Sequence, residues 1–135
     1  MRIEHFTDLI VYQKTVSLAA RIFLISRRWP NEERFSLTDQ IRRAARSVGA
    51  NLAEAWGKRF YPAHFLSKLT DADGENHEVE HWLITARADG YLADAEFEQL
   101  LEQKREICRL LGSMIRDPDA YLLRPPPERL SLIHI

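Results

Sequence analysis

The sequence predicts an all-α domain folded as an antiparallel up-and-down four-helix bundle. Apolar residues recur at spacings of three and four along four long stretches, the signature of helices with one buried face. Short connections marked by proline, glycine or aspartate separate those stretches, which favours antiparallel neighbours. No alternating strand pattern, repeat or glycine-rich loop interrupts them.

The first helix is expected from about Thr7 to Arg28, with Thr7 or Asp8 capping it and Trp29-Pro30 ending it. Leu9, Tyr12, Val16, Ala19, Ala20 and Phe23 read as its core face. A second apolar stripe, Val11, Leu18, Ile22 and Ile25, points nearly the other way. One bundle cannot easily cover both stripes. The second is therefore expected to meet another subunit, the alternative being cover by the chain's own tail.

The second helix is expected from Leu37 to Lys58, with Ser36 and Asp39 as a capping pair and Gly57 as a C-terminal glycine. Leu37, Ile41, Ala45, Val48, Leu52 and Trp56 form its core face, and Ala44, Gly49, Ala50 and Ala53 permit close helix approach. The third runs from Pro62, a favoured first-turn residue, to Ala88 before Gly90, burying Phe65, Leu69, Ala72, Val79, Leu83 and Ala86. Gly74 inside it costs roughly 1 kcal/mol against alanine, so a packing reason is expected. The fourth starts at Asp94, a good cap, and reaches Arg116 before Asp117-Pro118, with Phe97, Leu100, Leu101, Ile107, Leu111, Met114 and Ile115 inward.

These elements divide the chain into a helical domain, residues 1–121, and a tail, residues 122–135. The tail begins with the stiff run Arg124-Pro125-Pro126-Pro127 and goes on to the apolar Leu130, Leu132, Ile133 and Ile135.

At 135 residues the chain can bury one core without staples. Cys108, the only cysteine, excludes an internal disulfide and fits a reducing cytoplasm. Asp8, Lys14 and Arg21 break the N-terminal apolar stretch, so neither a signal peptide nor a membrane span is expected. Net charge is −1, yet its distribution is uneven. Residues 21–59 carry nine basic and four acidic side chains, whereas residues 71–106 carry eleven acidic and three basic. Such a two-sided chain can attract a polyanion or complement copies of itself.

His77-Glu78-Val79-Glu80-His81 matches H-E-x-x-H, the pattern that sets two histidines one helical turn apart on zinc with a glutamate to activate water. Here the histidines point about 150° from the core face of their helix, at 100° per residue. No third ligand or walled cleft accompanies them. The match reads as chance, and no metal, cofactor or catalytic residue is expected. Cys108 and the carboxylate pairs Glu96/Glu98 and Glu102/Glu106 read as core-flanking and solvated groups.

Along the second helix, Gln40, Arg43, Ser47, Asn51, Glu54 and Lys58 form a polar ribbon beside the core face, with Arg42 and Arg46 to one side. Ordinary solubility, including a Glu54–Lys58 pair, is one reading. Amides and arginines are also suited to directional hydrogen bonds and phosphate contact, so a nucleic-acid or partner surface is the other.

Three segments carry a family resemblance. Phe6-x-Asp8-Leu9-Ile10-Val11-Tyr12-Gln13-Lys14 resembles the opening of the four-helix-bundle proteins encoded in intervening sequences of bacterial 23S ribosomal RNA genes. Gln40-Ile41-Arg42-Arg43-Ala44-Ala45-x-Ser47-Val48-x-x-Asn51-Leu52-Ala53-Glu54 is similar to that family's most distinctive segment. Ala72-x-Gly74 with Glu78-Val79-Glu80, and then Gly90-Tyr91-Leu92, resemble its third helix and the following turn. Ala55 and Glu75 depart from the usual Gly and Ser. The resemblance implies a homopentamer and leaves the cellular role open. A related branch, accessory proteins of diversity-generating retroelements, implies nucleic-acid binding and a reverse-transcriptase partner; that branch is strongly basic, and this chain is not. The expectation is a non-enzymatic oligomer that binds structured RNA or DNA through helix two, with a protein-interaction scaffold as the alternative and a zinc hydrolase a distant third.

Overall fold

In the computed structural model, which describes residues 2–124, every regular element is helical. Four long helices carry the chain: α1 (Ile10–Ser26), α2 (Asp39–Gly57), α3 (Pro62–Ala88) and α4 (Asp94–Arg116). The expected bounds of the third and fourth coincide with α3 and α4. The first two start two or three residues later than their sequence signals. His5 caps a short 3-10 turn (Phe6–Asp8) by accepting from the Thr7 backbone, and Leu9 then opens α1 without a side-chain cap. A wide π turn, Arg34–Thr38, precedes α2. Ser36 donates to the Glu33 carboxylate at 2.7 Å instead of capping α2.

Contacts fall in opposite order along each neighbouring pair. Tyr12 and Thr15 of α1 meet Gly49 of α2, while Ser26 meets Arg42. Arg43 reaches Glu78 of α3, and Glu54 reaches Lys68. Between α3 and α4, Asp73 meets Cys108, Asn76 meets Lys104 and Arg87 meets Glu98. Lys14 of α1 and Arg28, two residues beyond its end, pair with Glu106 and Glu96 of α4. Ile22, Ile41, Leu52, Phe65, Leu69, Leu83, Leu100, Ile107 and Leu111 fill the centre. Burying each such side chain is worth roughly 1.5–3 kcal/mol.

The orientation of α1 corrects the sequence reading. Val11, Leu18 and Ile22, expected at a subunit interface, are buried inside the protomer, and Ile25 packs against the same core. The buried stripe is Val11, Thr15, Leu18, Ile22 and Ser26. Its two hydroxyl residues disguised it. Thr15 Oγ1 donates to the Tyr12 carbonyl at 2.6 Å and Ser26 Oγ to the Phe23 carbonyl at 3.1 Å. Satisfied within their own helix, both hydroxyls can be buried without an orphaned polar group. Val16, Ala20 and Leu24 face out instead.

Among the glycines only Gly90 has positive φ, at 83°. It ends α3 with paired bonds, Tyr91 N–H to the Ala86 carbonyl and Gly90 N–H to that of Arg87, a Schellman arrangement. Gly57 is the last residue of α2, which ends on Lys58 without that geometry. Beyond α4, Leu122 packs on the core and Leu123 N–H donates to the Arg59 carbonyl. The prolines 125–127 and the apolar residues Leu130 to Ile135 lie outside the described residues.

Candidate functional site

Turning Val16, Ala20 and Leu24 outward leaves an open apolar groove between α1 and α2, of about 540 Å³. Tyr12, Val16 and Leu24 form one wall; Ala45, Gly49 and Ala50 form the other. Val16 is 50% exposed and Leu24 60%. At Gly49, one of its lining residues, the helices come close enough that an added Cβ would stand 3.0 Å from Thr15 Oγ1.

Phe23 closes one end, ringed by the guanidinium groups of Arg42, Arg46 and Arg27 at 4.6, 5.6 and 5.9 Å from its centroid. Arg42 also donates to Ser26 Oγ at 2.8 Å. Burial first, then the charges of Arg46 and Arg27, hold its pKa below the usual arginine value, with Asp39 opposing. A shallow basic depression adjoins this end, lined in part by Arg34, Phe35, Arg43 and Ser47. Arg34 lies over the Phe35 ring at 5.1 Å, and Phe35 is 83% exposed. Among the described residues, Arg27, Arg34, Arg42 and Arg46 make no ion pair. Clustered cations beside exposed apolar surface suit an anionic partner that also has something to bury.

The family model described as 23S rRNA-intervening sequence protein matches residues 7–113. The chain belongs to that family. Six chains of solved structures match it. One is a protein of unknown function from the S23 ribosomal protein family of Bacteroides thetaiotaomicron, 32% identical, with a TM-score of 0.73. That match covers 79% of this chain and 96% of the other. Among curated proteins nothing matches.

In this 23S rRNA-intervening sequence family member, the polar ribbon of α2 divides in two. Arg42, Arg46 and Ser47 border the groove or the basic depression beside it. Arg43 turns toward α3, pairing with Glu78 at 2.9 Å and Glu75 at 3.8 Å and donating weakly to Gln40. Glu54 binds Lys68 of α3 at 2.6 Å rather than Lys58, which is exposed at the end of α2. Asn51 donates to the Ser47 carbonyl and borders an acidic hollow with Asp71, Glu75 and Glu78. The structure thus brings Arg42, Arg46 and Ser47 to one open face, leaves Arg43 at its edge paired with carboxylates of α3, and engages Asn51 and Glu54 with Ser47 and Lys68.

His77 and His81 are exposed, as their helical angle predicts. His77 Nδ1 lies 2.8 Å from the Asp73 carbonyl, and His81 lies edge-on to Trp82. Among the described residues no three His, Cys, Asp or Glu side chains converge as metal ligands. No helix among them is long and apolar enough to cross a membrane. Lys104, only 4% exposed, is held by Glu80 at 2.8 Å, a structural pair between α3 and α4.

Sequence reasoning missed Phe23, Arg27, Arg34, Phe35, Val16 and Leu24 as surface residues. One signal was available: arginines at 27, 34, 42 and 46 flank two phenylalanines in the most basic part of the chain.

Proposed function

We propose that this protein is a non-enzymatic interaction module of the cytoplasm, an antiparallel up-and-down bundle whose α1/α2 face is its working contact surface. One observation carries the reading: a continuous apolar groove stands open between two helices whose remaining inward side chains are well packed. An uncovered groove of this kind on a small domain marks a binding surface. The family resemblance adds self-assembly as a homopentamer to the proposal. Beyond α4 the chain returns through Leu123 to the Arg59 carbonyl, and among the described residues none covers the groove.

A second reading is favoured by the unpaired arginines: contact with structured RNA or DNA through Arg34, Arg42 and Arg46 beside the exposed Phe35 ring. Such binding would weaken steeply with salt, because each phosphate contact releases a counterion. The pairing of Arg43 and Glu54 with α3, and of Asn51 with the Ser47 carbonyl of its own helix, narrows that surface from the whole ribbon to one end of α2.

Hydroxyl-radical footprinting tests the contact surface. The protein is compared dilute, concentrated, and with added structured RNA, while light scattering reports its mass. Protection of Leu24 and Phe35 on association supports the proposal. An associated state that leaves both side chains as reactive as in the dilute protein overturns it.

A further inference from the structure

We propose that the α1/α2 groove receives an amphipathic helix of a partner protein, its apolar stripe along the groove and its carboxylates against the arginines around Phe23. This inference rests on the α1/α2 face being the contact surface and names the chemistry of what occupies it.

The shape of the groove selects a helix. From Tyr12 to Leu24 it follows thirteen residues of α1, a rise of about 18 Å at 1.5 Å per step, or roughly three turns of an occupant. Ala20, Ala45, Gly49 and Ala50 carry little or no side chain, so a backbone can approach closely while its i, i+3, i+4 and i+7 side chains fill the space.

The charges select its polarity. Arg27, Arg42 and Arg46 crowd one ring, and Arg34 stands beside them. Burial, and after it the like charges of Arg46 and Arg27, already depress the pKa of Arg42. Carboxylates on the occupant would relieve that repulsion and accept the guanidinium hydrogen bonds. A nucleic acid satisfies the arginines but offers nothing to an apolar groove of this length.

A second copy also fits less well. α1 contains no acidic residue, so pairing α1 against α1 brings no carboxylate to the ring. The acidic side of the chain, α3 and α4, exposes one large apolar side chain among the described residues, Ile84. It therefore supplies charge without the apolar stripe.

The test uses the full chain and a fluorescent synthetic helix of about 16 residues, long enough to be helical in part. The peptide carries leucines at i, i+4, i+7 and i+11 and glutamates on the flanks. Lysine-for-glutamate and scrambled peptides serve as controls, and structured RNA is tried as a competitor. The glutamate peptide should bind at least about tenfold tighter than either control. Val16→Glu and Arg46→Glu should each weaken it about tenfold or more, while Arg105→Glu, an equal charge change on α4, should alter it less than about twofold. Arg46→Glu should also shift preference toward the lysine peptide.

Equal binding of the three peptides, or binding that survives Val16→Glu, overturns the proposal. So does RNA that binds to the exclusion of the acidic peptide. If no peptide binds and Val16→Glu instead lowers the mass of the assembly, a second copy fills the groove; that outcome overturns the helix while leaving the α1/α2 contact surface intact.

Discussion

Two glycine-to-alanine substitutions should change stability in opposite directions, and the difference measures how tightly α1 and α2 meet. Both sites are helix interiors, where alanine gains about 1 kcal/mol over glycine. At Gly74 of α3 an added Cβ meets nothing within 4 Å, so the gain should appear in full. Gly74→Ala is therefore expected to raise stability by about 1 kcal/mol and Tm by about 4 °C. At Gly49 the new Cβ would stand 3.0 Å from Thr15 Oγ1 and 3.6 Å from Tyr12 Cε1. That hydroxyl cannot readily withdraw, because it donates to the Tyr12 carbonyl at 2.6 Å. Overpacking costs of about 1–3 kcal/mol should exceed the propensity gain, leaving Gly49→Ala destabilised by about 1 kcal/mol. In a Thr15→Ala background the obstacle is gone, and Gly49→Ala should become neutral or stabilising, a coupling near 1–2 kcal/mol. Urea unfolding followed by helical circular dichroism, at one protein concentration throughout, reads all four variants. A Gly49→Ala protein as stable as Gly74→Ala, or the absence of coupling to Thr15, would refute the close α1/α2 contact.

Other consequences follow from the ion pairs. Glu80→Ala leaves the buried Lys104 ammonium without its partner and should cost about 2–4 kcal/mol, whereas Lys104→Met leaves Glu80 partly in water and should cost less than about 1; chemical denaturation separates them. Arg43→Ala and Glu54→Ala remove exposed pairs, so each should lower Tm only slightly, and less still in high salt. Hydrogen bonds from Lys104, Arg28 and Lys68 hold Glu80, Glu96 and Glu54 below the ordinary carboxylate value of 4.5. A depressed folded pKa stabilises above the unfolded value, so Tm should hold above about pH 4.5 and fall as pH drops below it. A Tm that is flat from pH 5 to pH 3 would contradict these pairings.

Much of the fold was legible because α2 and α4 each carry one dominant apolar face, while α3 shows its core through large apolar residues at helical spacing, Phe65, Leu69, Val79 and Leu83. Leu52, Leu83 and Leu111 sit where their periodicity places them. α1 was not legible in the same way. It is apolar on nearly all sides, so spacing alone could not choose between Leu18 and Val16 as core. The choice fell to Thr15 and Ser26, which look polar in a sequence but satisfy themselves on their own helix. The contact surface was half legible for a related reason. Arg42, Arg46 and Ser47 came from the α2 pattern, while Phe23, Leu24 and Phe35 depended on the rotation of α1 and on the π turn before α2. Long-range partners decided the rest: nothing local to Arg43 or Glu54 shows that Glu78 and Lys68 wait on α3.

The most direct test of the α1/α2 face as the working surface is the double variant Val16→Glu/Leu24→Glu. Both side chains are half or more exposed, so the fold should be kept, as circular dichroism can verify. Light scattering then compares its associations with those of the parent protein. Loss of association with a partner chain or with further copies is the predicted result. A folded double variant that associates as fully as the parent would contradict the account.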